Sequence, residues 1–132
     1  MGRAPRATAA VTSVTGGLLL AWSAYLHFHL WQSAGYRHIP TIGTLFILQA
    51  MTGFVLAFVT IVVRRAWAAF VGAGFSASTA AGLLVSIYHG LFGFKDSWAA
   101  PFARLTFAIE LIALVLLSLS VVLRIAGSHH SP

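Results

Sequence analysis

Apolar residues run along this chain in four long stretches, at about residues 7–31, 42–63, 67–90 and 102–123, and polar residues collect in the gaps between them. At about 1.5 Å of rise per residue, a helix of that length crosses the roughly 30 Å hydrocarbon core of a bilayer. A lone strand would leave its backbone N–H and C=O groups unpaired in lipid, so helices are required. The gaps hold the chain breakers: Gly35 and Pro40 in the first, Arg64 and Arg65 in the second, Gly93, Asp96, Ser97 and Pro101 in the third. Pro40 and Pro101 stand where a following helix would begin, the position at which a missing N–H costs least. Connections this short make successive helices antiparallel neighbours. The pattern predicts one all-α domain over residues 1–132, a four-helix transmembrane bundle running up-down-up-down. A polar tail at 125–132 is expected to be disordered.

Composition excludes the soluble alternative. Of 132 residues, 59% are hydrophobic and 8% charged, whereas a soluble domain carries about 25% charged residues. Eight Lys and Arg stand against two acidic residues, a balance that in a soluble protein would point to nucleic acid. Here the cations sit singly or in pairs between the spans, so the partner is the lipid bilayer and no nucleic acid is expected. Arg3, Arg6, Arg64, Arg65 and Arg124 fall on one side, and Arg37, Lys95 and Arg104 on the other. The richer side is expected to be cytoplasmic, with both termini inside. Trp31, Tyr36 and Trp98 on the outer side and Trp67 on the inner fit interfacial aromatic belts. Trp22 lies too deep for a belt and is expected to pack in the membrane interior. The apolar run at 11–30 is longer than a signal-peptide core and ends in H-F-H-L-W rather than a small-residue cleavage site, so it reads as a retained first span. Cysteine is absent, which removes disulfides and thiolate chemistry.

The third span carries Gly74, Ser78, Gly82, Ser86 and Gly90 every four residues. Such a ridge of small residues lets a neighbouring helix come close, and Gly16 and Gly17 on the first span offer one partner. A bundle this small also has faces to spare for a homo-oligomer or a larger membrane complex.

Candidate chemistry gathers near the outer ends of the spans. Glu110 is the one acidic residue inside a span, roughly 12 Å below Phe102 at helical rise. A carboxylate at that depth must face the bundle interior, be protonated, or have a partner. Gln49 and Ser23 lie about as deep on the second and first spans, giving one polar layer from three helices. His27 follows Ser23 by four residues and shares its face, whereas His29 is about 200° around the helix from His27 and points elsewhere. His89 closes the third span beside Tyr88, and Arg37 and His38 can fold over the top. Arg104 is too far around the helix to pair with Glu110 and is expected to reach the surface or Asp96. Lys95 and Asp96 read as solvated loop charges, and His129 and His130 as tail residues.

Three functional readings follow. The first is a non-enzymatic accessory or small-ligand-binding membrane protein with an outward-facing polar pocket built from Ser23, His27, Gln49, His89 and Glu110, with Arg37 and His38 above. The chain shows no soluble domain and no recognised catalytic motif, which puts this reading first. The second is a redox or metal protein, in which His27 and His89 hold the iron of a haem b, or His27, His89 and Glu110 hold one transition metal. The third is a small proton-coupled transporter in which Glu110 titrates, a reading weakened by the lack of inverted repeats.

The outer corner running into the second span, G-Y-R-H-I-P-T-I-G-T-L-F-I-L-Q at residues 35–49, resembles that of short four-span membrane proteins of high-GC actinobacteria that carry no assigned function. The Ala-, Val- and Arg-rich composition is similar to theirs. The resemblance implies a multi-pass protein of the bacterial inner (plasma) membrane and implies no activity.

Overall fold

The computed structural model describes residues 2–129 and contains four long helices: α1 (Arg3–Ser33), α2 (Ile42–Val63), α3 (Ala66–Tyr88) and α4 (Ala103–His129). A single 3-10 turn, Tyr36–His38, interrupts the first connector. All four helices are long and apolar enough to cross a membrane, and the chain is therefore a multi-pass integral membrane protein of the all-α class. The helix boundaries follow the hydropathy pattern to within a few residues, except at the C-terminus. There α4 continues to His129 across a stretch expected to be disordered, while His130 and the rest of the tail lie outside the described residues.

The continuation has a local cause. Arg124 on α4 donates from Nη2 to Ser13 Oγ at 3.2 Å and to the Ala9 carbonyl at 3.4 Å, and from Nε to Ser120 Oγ at 3.3 Å. Ser13 and Ser120 share a further hydrogen bond of 2.6 Å. These bonds fasten the last turns of α4 to α1 and place both termini at one end of the bundle. We call this the terminal end, and the opposite one, bearing residues 34–41 and 89–102, the connector end.

α1 is the central helix, packed along α2 on one side and α4 on the other, with α3 against α4. Glycines set these distances. A Cβ built on Gly16 would lie 2.6 Å from Leu117 Cδ2, one on Gly17 2.6 Å from Ile61 Cγ1, and one on Gly53 2.8 Å from Ala24 Cβ. With no hydrophobic force between helices in lipid, such close backbone approach is the main source of association. Leu20, Ala57, Ala69, Ala73, Ala113 and Leu117 form the buried core at this level.

The small-residue ridge of α3 does not play its expected part. Gly74 and Gly82 have nothing within 4 Å of a Cβ position, and Gly16 and Gly17 pack on α4 and α2 instead. α3 packs through the adjacent face, Ala69, Gly72, Ala73, Ser76 and Ala80, where the three alanine methyls fill contact that a face of glycines would leave open. The ridge is left facing a gap. Trp22 is 45% exposed and lies on the outside of the bundle.

α2 and α3 are joined by a tight turn at Arg64 and Arg65, yet they meet over fewer residues than the other successive pairs. Phe75 of α3 reaches α2 at the level of Gly53. Toward the connector end the two helices leave a space, which the connectors roof. In the first connector, Tyr36 is buried and stacks on Phe46 of α2 with ring centroids 4.5 Å apart. In the third, Leu91 and Phe94 exchange backbone hydrogen bonds of 2.7 and 2.9 Å around Phe92 and Gly93, both at positive φ, the geometry of a two-residue hairpin turn. The Asp96 N–H donates to the Ser86 carbonyl at 2.9 Å, tying this connector to α3.

Candidate functional site

The space at the connector end is a cavity of about 270 Å³. Its walls are apolar: Leu30 from α1, Leu45 and Phe46 from α2, Phe75 and Leu83 from α3, and Phe94 from the connector. Ser78, Gly82 and Ser86 of the α3 ridge, with Thr79 beside them, also line it. Their three hydroxyls donate back to carbonyls of their own helix, at Gly74, Phe75 and Leu83. The α3 wall therefore offers little to a polar ligand, and the polar side of the cavity belongs to α1, α2 and α4.

That side is a junction of three helices. Ser23 of α1, 2% exposed, donates from Oγ to Glu110 Oε1 at 3.0 Å and accepts from Gln49 Nε2 at 3.3 Å. Ser76 donates to the Glu110 backbone carbonyl at 2.7 Å, bringing α3 to the same level. Glu110 is 2% exposed, and its second oxygen, Oε2, is buried without a hydrogen-bond partner. The same holds for Gln49 Oε1 and Thr106 Oγ1. Glu110, Gln49 and Thr106 all line the cavity. Buried polar atoms are paired in most folded proteins, so three unpaired atoms around one cavity mark it as a place for a ligand's polar group.

His27 lies above this floor, buried, with its ring 5.0 Å from that of Phe46. Its Nδ1 is 2.9 Å from the Ser23 carbonyl. A carbonyl only accepts, so Nδ1 carries a proton, and in the neutral ring Nε2 is left as an acceptor. His29 faces the other way, stacked with Tyr25 and edge-on to Phe102.

The connector supplies the rim. Asp96 and Tyr36 both line the cavity. Burial, with the Asp96 carboxylate next to it, pushes the Tyr36 phenol up to about 12. Asp96 Oδ1 also accepts the Ser97 N–H at 2.8 Å.

The structure thus brings together four of the seven residues picked out from the sequence: Ser23, Gln49 and Glu110 in one hydrogen-bonded junction, with His27 above it. The other three stand apart. His89 is the C-cap of α3, exposed and away from the cavity. Arg37 and His38 are exposed and interact with each other, Arg37 Nε donating to His38 Nε2 at 3.3 Å. The side chain that closes the cavity is their neighbour Tyr36. His27, His89 and Glu110 do not converge, and among the described residues no three His, Asp or Glu side chains form a group able to hold a metal ion. Of the two histidines expected to hold a haem iron, His27 lines the cavity and His89 does not.

Among the lining residues that were not picked out from the sequence, three stand next to the polar side or the rim. Asp96 read as a solvated loop charge, although it is one of only two acids in the chain and that scarcity was a signal. Tyr36 read as a belt residue. Thr106, four residues before Glu110 and hence on its face, was within reach of the same reasoning that linked Ser23 to His27. Comparison with protein-family models, with curated proteins and with solved structures finds no match.

Proposed function

We propose that this chain is a non-enzymatic, small-ligand-binding membrane protein whose cavity opens toward the outer face of the membrane. One observation carries the reading: the three unpaired buried atoms, Glu110 Oε2, Gln49 Oε1 and Thr106 Oγ1, on residues lining one largely apolar cavity. Leaving such groups unpaired costs about 1–3 kcal/mol each, and a ligand that pairs them recovers part of that. The outward direction rests on charge. Arg3, Arg6, Arg64, Arg65 and Arg124 gather at the terminal end, the arrangement of a cytoplasmic face, and the cavity lies at the opposite end.

The absence of cysteine makes the test direct. A single Gly82→Cys substitution places a thiol on the cavity wall where a Cβ meets nothing within 4 Å. Gly74→Cys places one at an equally open position outside the cavity lining, nearer the terminal end. In intact cells a membrane-impermeant methanethiosulfonate reagent is expected to label the Gly82→Cys protein and not the Gly74→Cys protein. Gly82→Leu should leave the fold intact while filling the cavity. Failure to label the Gly82→Cys protein from outside, or equal labelling of both, overturns the outward-facing cavity.

A further inference from the structure

We infer that the cavity selects a small amphipathic amine, with its ammonium group at Glu110 and its apolar body along Phe46, Phe75 and Leu83. This rests on the ligand-binding reading above and deepens it by fixing the chemical class. The first ground is the distribution of charge. The chain carries eight Lys and Arg and only two acids. Both acids, Asp96 and Glu110, line this one cavity, and none of the eight cations does. In a protein of formal net charge +6, both acidic side chains are collected at this one cavity, and its low-dielectric walls strengthen the pairing of an ammonium with a carboxylate there. An anionic ligand would meet both carboxyl groups with no cation to hold it.

The second ground is the hydrogen-bonding character of the site. Glu110 Oε2 and Gln49 Oε1 are unpaired oxygens, and Thr106 Oγ1 is an unpaired hydroxyl that accepts as readily as it donates. His27, its Nδ1 committed to the Ser23 carbonyl, adds Nε2 as an acceptor in its neutral form. Gln49 Nε2 is already used on Ser23, and the Ser78, Thr79 and Ser86 hydroxyls on their own helix. What remains is a surplus of acceptors. A primary ammonium brings three donors and no acceptor, whereas a carboxylate or phosphate brings only acceptors. The third ground is shape: about 270 Å³ with aromatic walls holds a phenylalkylamine rather than a long-chain lipid.

The test uses the full chain in phosphatidylcholine nanodiscs and three probes of one shape: 3-phenylpropylammonium, 3-phenylpropanol and 3-phenylpropionate. Binding of the tritiated ammonium is measured by scintillation proximity, with the other two as competitors. The expected result is that the ammonium binds at least tenfold tighter than the alcohol and that the propionate does not compete. Glu110→Gln, which keeps the acceptor for Ser23, should weaken the ammonium at least tenfold and the alcohol far less. Asp96→Asn, on the connector and outside the three-helix junction, should weaken it severalfold. Discs with added phosphatidylethanolamine separate a lipid amine from a soluble one: no competition by the lipid is expected, and competition would overturn the small soluble ligand. Equal binding of alcohol and ammonium overturns the amine while leaving the cavity reading in place, as does an unchanged ammonium affinity in both variants. No binding of any probe by a protein whose Gly82→Cys variant labels from outside also overturns the amine. Loss of that labelling would instead remove the reading beneath it.

Discussion

Replacing Ser23 by alanine removes one oxygen from a junction of three helices, and the structure sets the size of the effect. Ser23 Oγ makes two bonds, donating to Glu110 Oε1 at 3.0 Å and accepting from Gln49 Nε2 at 3.3 Å. Hydrogen bonds between transmembrane helices average about 0.6 kcal/mol and reach about 1.7, so the pair contributes roughly 1.2 kcal/mol. Stranding adds to this. Glu110 Oε2 and Gln49 Oε1 are already unpaired, and the substitution would leave both side chains buried with no partner on any polar atom, at about 1–3 kcal/mol for a buried group. The longer Gln49 bond puts the sum toward the lower end, and Ser23→Ala is expected to cost roughly 2–3 kcal/mol. The same substitution made in Glu110→Leu strands no carboxyl group and leaves only the Gln49 amide without its partner, so it should cost about 1 kcal/mol. Reversible unfolding in mixed micelles of the wild type, the two single variants and the double variant closes the cycle. A coupling of about 1–2 kcal/mol is expected. Additivity to within about 0.5 kcal/mol, or a neutral Ser23→Ala, would refute the view that this junction holds α1, α2 and α4 together.

Two other outcomes follow from the connector end. A Cβ on Gly43 would lie 2.7 Å from the Arg37 carbonyl oxygen and 2.8 Å from that of Tyr36; because both are backbone atoms, Gly43→Ala should destabilise by about 1–3 kcal/mol through overpacking. The control is Gly74→Ala, where the new methyl meets nothing and helix propensity should give about 0.5–1 kcal/mol in the other direction. The second outcome concerns pH. The Tyr36 phenol is raised from 10.0 to about 12 by burial and then by Asp96. A folded-state value above the unfolded one means that the stability held by the neutral phenol is full below pH 10 and is lost as pH rises through about 12. Thermal unfolding between pH 9 and 12 should show a steeper fall for the wild type than for Tyr36→Phe, and parallel curves would show that the phenol is not confined in this way.

The spans were legible because lipid leaves the backbone no alternative to a helix, and hydropathy alone placed α1 to α4 close to their ends. The Ser23–Gln49–Glu110 layer was legible as well, since equal depth on three antiparallel helices brings side chains to one level. Azimuth was harder to read. Depth put His89 near His27, but the last turn of α3 points His89 away from the bundle. The α3 ridge shows the same limit. Gly74, Ser78 and Gly82 have the spacing of a packing face, yet Ala69, Ala73 and Ala80 one step around the helix form an equally small face that fills the contact better. A four-residue period of small side chains identifies a stripe on a helix, and the rest of the bundle decides which of two such stripes is covered. Connectors were harder still, because no periodicity ties Asp96 or Tyr36 to a side of the molecule.

The uncovered stripe and the unpaired carboxyl oxygen are two results of one packing choice. α1 takes the centre because Gly16 and Gly17 let α4 and α2 approach its backbone on two faces. α3 is then held chiefly by α4, through Gly72 and Ala73 against Leu117 and its neighbours. Nothing draws α2 toward the connector-end half of α3, and the stripe from Ser78 to Ser86 borders the resulting space instead of closing it. Glu110 sits where that space meets the three-helix junction. Its two oxygens are divided accordingly: Oε1 is bound by Ser23 and holds helices together, while Oε2 has no helix left to bind. A carboxyl group kept only as an adhesive would be placed where both oxygens find donors. Dividing it between a helix contact and a cavity makes the stability of the bundle and the occupancy of the cavity depend on the same residue, so a ligand that pairs Oε2 also stabilises the fold.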